Sequence, residues 1–405
     1  MVFFTKKDEA LIPEVNIGMV GHVDHGKTSL TQSMTKKWTD THSEEMKRGI
    51  TIRLGYADIT FYFCEKCKKY GNNAKCVSCF GDATPKRTVS FIDAPGHETL
   101  MATVLSGASL MDGALLLISA DEKCPQPKTA EHLKALDIVG IKKIIIVQNK
   151  IDLVSEEQAV NNYKEIKNFV KGTVAENAPI IPISAINNIN IDLLIEEIEN
   201  TIPTPKRDPT KPAKFYVARS FDVNMPGTPV KDLKGGVIGG SLVQGVLKIG
   251  DEIEIRPGAK SGDKWFPIKT KIHEIFQAGM RDKATPGGLV ALQTEIDPSL
   301  TRGDSMTGNI AGSGLQPNVS EITMKTHLFS HVIGVEGIKN VDPIRTGDIL
   351  MMTVAIAKTV GNVVSAGKNV AVNLKIPICP EKGDKVAISR QVSGRWHLIG
   401  WGEIV

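Results

Sequence analysis

The chain has 405 residues, 49 basic against 45 acidic, for a net charge of +4. That is too long for one ordinary core and too nearly neutral to demand or exclude a nucleic acid partner, because local patches rather than the sum steer binding. No apolar leader precedes the first motif and no run approaches the ~18 apolar residues that span a bilayer, so no membrane partner and a cytoplasmic location are expected.

In chain order, short apolar runs at Val15–Val20, Val89–Ile92, Gly113–Ser119, Lys143–Gln148 and Pro179–Pro182 alternate with longer amphipathic stretches up to about Thr201. This alternation predicts an α/β domain, a mostly parallel sheet covered by helices on both faces, with ligand sites in the loops that follow the strands. The closely spaced prolines and charges of Ile202–Pro212 predict an extended, solvent-facing connector, which ends a first domain at residues 1–206. Beyond it, β-branched runs alternate with glycine-rich turns, as in GGVIGGSLVQGVLKIGDEIEIRPG. A second boundary near Glu321 rests on the glycine-rich Asn309–Gly314 and on strand-like runs restarting through Thr323–His331. Residues 207–320 and 321–405 are therefore expected to form two antiparallel β-barrels.

The loop after the first strand reads Gly21-His22-Val23-Asp24-His25-Gly26-Lys27-Thr28, the G-x-x-x-x-G-K-[ST] pattern in the strand context it requires. Glycines at both ends let the backbone wrap around phosphate, and the N–H groups of the loop and helix start offer partial positive charge. Lys27 supplies a full charge and Thr28 a hydroxyl for Mg²⁺. Asp24, His25, Gly26, Lys27, Thr28 and Ser29 are the candidate phosphate contacts. A carboxylate in such a loop would be repelled unless it pointed away or held a cation, and a second Mg²⁺ shared by Asp24 with the Gly49 carbonyl is one resolution.

Asp93-Ala94-Pro95-Gly96-His97 follows Val89–Ile92, which puts Asp93 where it can hold Mg²⁺ through water. Asn149-Lys150-Ile151-Asp152 follows the fourth run and distinguishes guanine from adenine. An aspartate accepting two hydrogen bonds matches the N1–H and exocyclic amine of guanine, whereas adenine leaves it unpaired. Ser184-Ala185-Ile186, after the fifth run, supports the same ring by backbone contact.

Four of the six cysteines form two close pairs, Cys64-x2-Cys67 and Cys76-x2-Cys79, eight residues apart. Free thiols are the alternative, but paired spacing in so short a stretch points to a tetrahedral Zn²⁺ in a structural knuckle at 64–79.

GHVDHGKT, RGITI, DAPGH, NKID and SA together resemble the guanine-nucleotide motifs of the translational GTPases, the class containing elongation factor Tu. The resemblance implies hydrolysis of GTP to GDP and phosphate. It makes Arg48-Gly49-Ile50-Thr51-Ile52 the first switch, with Thr51 sensing the third phosphate through Mg²⁺, and His97 the residue that orients the attacking water. Val23 and Ile50 match the apolar pair that screens this histidine until the ribosome realigns it, so intrinsic hydrolysis should be slow.

The knuckle interrupts the connection between the strand near Tyr56–Phe63 and the strand before DAPGH, where elongation factor Tu has no insertion. Together with RGITIRLGYAD, ARSFDVNMPGT, KGGVIGGSLVQG and WGEIV, it is similar to the gamma-subunit family of archaeal and eukaryotic initiation factor 2. The first strand is reached at Val15 without the extra N-terminal segment of eukaryotic members, which favours the archaeal branch. That family implies binding of methionyl initiator tRNA in the GTP state, delivery to the small ribosomal subunit, release on hydrolysis, and association with alpha and beta subunits. Tyr56 is a candidate stacking contact for the RNA end, and equally a half-buried strand residue.

Two alternatives stay open. A selenocysteine-type elongation factor shares the nucleotide motifs, although no large RNA-hairpin-binding extension is expected after Val405. A ribosome-bound scaffold without turnover would bind GTP and stop there, against which stand Lys27, Thr51 and His97.

Overall fold

The computed structural model describes residues 11–37, 54–95, 101–332, 340–392 and 394–405. Its first seven strands are β1 (Val15–Gly21), β2 (Gly55–Cys64), β3 (Lys69–Gly71), β4 (Thr84–Asp93), β5 (Gly113–Ser119), β6 (Ile144–Asn149) and β7 (Ile180–Pro182). They form one sheet in the order β3-β2-β4-β1-β5-β6-β7. From β4 to β7 neighbouring strands run parallel, while β2 and β3 form an antiparallel extension on β4. The expected runs are these strands with small shifts at their ends. The largest shift is at β4, which starts at Thr84 because Thr84 and Pro85 pair with Phe63 and Tyr62 of β2 at an exposed end.

Every residue of β1 and β5 is buried, as parallel strands covered on both faces must be. On one face Val15, Ile17 and Met19 meet Leu30 and Met34 of α1 (Lys27–Thr35) and Leu194, Ile195 and Ile198 of α5 (Ile191–Thr201). Positions 191, 194, 195 and 198 recur at helical spacing, so α5 turns one apolar stripe to the sheet. On the other face Val20, Leu116, Ile118 and Ile146 pack against α2 (Met101–Ala108), α3 (Pro127–Val139) and α4 (Glu156–Val170). Burying each such Leu or Ile side chain contributes about 1.5–3 kcal/mol. Proline at the first turn of α3 and the left-handed Gly140 set its limits, and a Ser155–Gln158 capping box opens α4.

The rest of the chain forms two closed antiparallel barrels of six strands. The first comprises β8 (Lys214–Phe221), β9 (Val237–Gln244), β11 (Glu252–Ser261), β12 (Lys264–Phe276), β15 (Val290–Thr294) and β16 (Ile310–Gly312), in the order β11-β16-β8-β9-β15-β12, and β11–β12 pairing closes it. Short pieces flank it: β10 (Leu247–Lys248) pairs with β14 (Lys283–Ala284), and β13 (Met280–Arg281) folds back on β12. The second comprises β17 (Val319–Leu328), β18 (Ile349–Val354), β19 (Ala357–Ala366), β20 (Val370–Ile378), β21 (Lys385–Val392) and β22 (Arg395–Ile404), closed in the order β17-β20-β19-β18-β21-β22.

Specific polar contacts seat the barrels on the nucleotide-binding fold. Asn16 of β1 donates from Nδ2 to Ser241 Oγ at 3.3 Å and accepts from the Gly288 amide at 2.8 Å. Lys358 of β19 donates to the Thr103 hydroxyl of α2 at 3.0 Å, and burial brings its ammonium down to about 8. Arg207, in the connector, is not the solvent-facing charge that its sequence context predicts. It forks onto both oxygens of Asp112 at 2.7 and 2.6 Å and donates to the Glu14 carbonyl at 2.8 Å. Arg207→Ala should leave the mostly buried Asp112 carboxylate without its countercharge, with the Asn16 amide as its remaining donor, and cost about 3 kcal/mol, read as a lower urea midpoint. An unchanged midpoint would count against the staple.

Candidate nucleotide and metal sites

β1 ends at Gly21 and α1 begins at Lys27, so residues 22–26 form the loop between a buried strand and a helix N-terminus. Gly26 sits at φ 88, and a Cβ there would lie 2.3 Å from Asn149 Nδ2, which only glycine avoids. Lys27 is 6% exposed and donates from Nζ to the Gly21 carbonyl at 3.1 Å and the His22 carbonyl at 2.6 Å. The ammonium is thus held over the loop's concave side, where phosphate would replace the two carbonyls as acceptor. Ser29 is half-buried in the first turn of α1, and Asp24 is exposed in a left-handed conformation at φ 61. His25 is 1% exposed, with Nδ1 2.9 Å from the Leu117 carbonyl, and burial lowers its pKa.

Asn149, the last residue of β6, joins three loops with one buried side chain. Its Nδ2 donates to the His25 carbonyl at 2.9 Å, and its Oδ1 accepts from the Ala185 amide at 3.1 Å. Lys150 follows in a left-handed conformation, its Nζ 3.6 Å from Asp121 Oδ2. Asp152 lies in a single 3₁₀ turn and is exposed, so its carboxylate is open to solvent. Ser184 is fully buried and its hydroxyl accepts from the Asn187 amide at 3.3 Å, whereas Ile186 is 78% exposed. Through Asn149 the structure therefore brings the segments Asp24–Ser29, Asn149–Asp152 and Ser184–Ile186 together at the C-terminal ends of β1, β6 and β7.

Thr28 and Asp93 come from different elements and meet: the Thr28 hydroxyl donates to Asp93 Oδ2 at 2.8 Å, with Asp93 fully buried at the end of β4. A hydroxyl and a carboxylate converging beside the phosphate loop form the oxygen donor set that Mg²⁺ takes, directly or through water. The further expected residues Gly49, Thr51, Gly96 and His97, with Ile50 of the screening pair, lie outside the described residues.

The four cysteine sulfurs all lie within 4.8 Å of one another, with Cys64 and Cys76 buried and Cys67 and Cys79 half-buried. Each pair builds the same turn: the amide of Lys68 donates to the Cys64 carbonyl, and that of Phe80 to the Cys76 carbonyl, both at 2.8 Å. Lys68 and Phe80 are both left-handed. Backbone amides of Cys79 and Ser78 aimed at its sulfur bring the Cys76 thiol down to about 6, while hydrogen bonding among the crowded thiols, first with Cys79, pushes Cys67 up to about 12. This donor set is compatible with structural Zn²⁺.

Tyr56, on β2, turns its hydroxyl into the junction with the first barrel, close to Ser241 and Arg219, and burial pushes its pKa up. The residue as a whole is half-buried and packs against the core of the nucleotide-binding fold. His132, which the sequence does not single out, touches the phosphate loop: its Nδ1 accepts from the Gly21 amide at 2.9 Å across 111 residues. No motif signals such a contact, because only the fold brings α3 to β1.

A phosphate loop, an Asp-bearing strand end and a guanine-type base loop on a doubly covered sheet, followed by two closed barrels, define a GTPase of the elongation factor Tu type. Residues 13–204 match the family Elongation factor Tu GTP binding domain, and residues 320–404 match Initiation factor eIF2 gamma, C terminal. Translation initiation factor 2 subunit gamma of Methanocaldococcus jannaschii is 56% identical over 98% of this chain and 99% of that protein. The protein of the same description from Pyrococcus horikoshii is 55% identical over 96% and 97%. The chain belongs to the family of archaeal translation initiation factor 2 gamma subunits, and as a translational GTPase it hydrolyses GTP with Mg²⁺.

Among solved structures, a bacterial selenocysteine-specific elongation factor superposes with a TM-score of 0.74 at 24% identity, over 97% of this chain and 58% of that one. Elongation factor SelB of Methanococcus maripaludis, in complex with a GTP analogue, gives 0.70 at 22% identity, over 98% and 80%. At that identity the likeness is one of fold, and the near full-length match to gamma subunits decides against the selenocysteine-type alternative. Among the described residues no helix is long and apolar enough to cross a membrane.

Proposed function

We propose that the chain binds methionylated initiator tRNA in its GTP state, carries it to the small ribosomal subunit with alpha and beta subunits, and releases it on hydrolysis. The observation that carries this reading is the junction of the nucleotide-binding fold with the first barrel. There Tyr56 approaches Ser241 on the outer face of β9; Val237, four residues earlier on the same strand face and so about 13 Å away, lines an apolar groove built by residues of the first barrel alone. The groove has a volume of about 570 Å³ and is lined by Val223, Met225, Phe276 and Met280, with Glu274 and Gln293 among its polar groups. Its size and mixed lining suit an aminoacylated nucleoside.

In this reading residues 24–29 hold the phosphates, and Lys27 exchanges two carbonyls for phosphate oxygen. Thr28, Thr51 and Asp93 hold Mg²⁺, with Asp24 and Gly49 the seat of a second ion. When bound, Mg²⁺ supplies positive charge against the phosphate oxygens. Asn149, Lys150 and Asp152 with Ser184, Ala185 and Ile186 take the guanine, and His97 orients water. The proposed units are 1–206, 207–320 and 321–405. The irregular stretch 203–213 supports the first division, and the start of β17 at Val319, two residues before 321, supports the second within that margin.

Cys64, Cys67, Cys76 and Cys79 are proposed to hold one Zn²⁺ as a local brace. Protein prepared without chelator should contain one zinc per chain, and stripping it should loosen the knuckle while changing GTP affinity by less than about twofold. Metal analysis finding none would remove the assignment.

The cargo is tested by comparing methionylated initiator tRNA with acylated elongator tRNA, each with a non-hydrolysable GTP analogue and with GDP. The initiator should bind about tenfold more tightly in the analogue state, and Thr51→Ala should narrow that difference. Phosphate contacts should make all affinities fall with salt. Equal affinities in all four combinations would refute the delivery of initiator tRNA.

A further inference from the structure

Gly21 closes β1 and opens the phosphate loop at φ 143. A Cβ on it would lie 2.4 Å from the Leu117 carbonyl oxygen, so the backbone is hard against β5. Both polar groups of this residue are engaged outside the sheet ladder. Its carbonyl accepts from Lys27 Nζ at 3.1 Å, and its amide donates to His132 Nδ1 at 2.9 Å. His132 is 1% exposed on α3.

The two contacts differ in what happens to them when nucleotide arrives. Lys27 is the cation of the loop, and phosphate competes with the Gly21 and His22 carbonyls for it. The amide contact faces away from that competition and can persist. We propose that His132 is a positioning residue for GTP binding and hydrolysis: its Nδ1 holds the Gly21 peptide in the orientation the phosphate loop needs once Lys27 has turned to the phosphate. The inference rests on the phosphate-loop reading of residues 21–28.

The contact requires a lone pair on Nδ1, hence a neutral ring with its proton on Nε2. Burial, first, and then Lys27 of α1, Lys128 of α3, and His22 and His25 of the loop hold the pKa of His132 well below its ordinary value, so the acceptor is kept. The adjacent Glu131 pairs with Lys128 at 2.7 Å, which leaves the histidine as the neutral member of this face of α3.

The test uses the full chain, with fluorescent GDP dissociation and single-turnover GTP hydrolysis as readouts beside melting temperature. His132→Asn offers an oxygen near the place of Nδ1, His132→Gln offers its oxygen nearer the place of Nε2, and His132→Leu offers none. Loss of one buried acceptor should speed GDP dissociation about tenfold in the Leu and Gln chains and less than threefold in the Asn chain. Asn behaving like Leu, or no change in any of them, would overturn the role. If the Leu chain fails to fold, Asn against Gln decides alone, and Gln no worse than Asn overturns it. A Lys27→Ala chain should lose nucleotide binding. If it does not, the phosphate-loop reading itself fails, whereas a defective Lys27→Ala with indifferent His132 variants removes only His132.

Discussion

Asp152→Asn is expected to move the preference of this GTPase from GTP to XTP, with a loss in GTP affinity on the order of 10³. The carboxylate offers two acceptors to the N1–H and exocyclic amine of guanine, whereas an amide offers one acceptor and one donor, which fit the N1–H and C2 carbonyl of xanthine. Because Asp152 is exposed on its short 3₁₀ turn, the mismatch costs little in the open site and most of its value once a base lies over it. Asn149 should not give this signature, since its amide is spent on the His25 carbonyl and the Ala185 amide, and changing it disturbs the site for any nucleotide. Competition of GTP, XTP and ATP against labelled GDP measures the shift. A variant that still strongly prefers GTP would mean the base site lies elsewhere.

His97→Ala is expected to lower single-turnover hydrolysis on small ribosomal subunits by about 10²–10³ while GTP affinity stays within about threefold. Phosphoryl transfer needs positioning and charge stabilisation, and a group that acts on the attacking water contributes to the transition state rather than to ground-state binding. Parallel loss of binding and turnover would place His97 among the phosphate contacts instead.

The parts legible in the sequence share a physical reason. Strands buried on both faces must be continuous apolar runs, so β1 and β5 announce themselves. A phosphate loop needs its glycines at fixed offsets, and paired thiols need close spacing to meet at one ion. The parts not legible are contacts that only the fold brings together. Asn149 is recognisable as part of NKID, but nothing in its neighbours says that it ties the phosphate loop to Ala185. His132 reads as one more residue of an amphipathic helix until α3 is laid against β1. Arg207 sits among prolines and charges that suggest solvent, and its bond to Asp112 follows from where the connector leaves the sheet.

Closure of the two barrels has a further consequence for anything that docks on the molecule. In each barrel the ladder closes on itself, so no strand is left as an open edge along its whole length. Free edge among the described strands includes the short pieces β3 and β7 and the stretches where a strand outruns its neighbour: β3 covers only Tyr62–Cys64 of β2, and β16 only Glu254–Arg256 of β11. The edge at β7 ends in Pro182, which has no N–H to give. Over the closed part of each barrel, recognition is written in side chains and loop backbone, where single substitutions can retune a contact without touching the hydrogen bonds that hold the sheets.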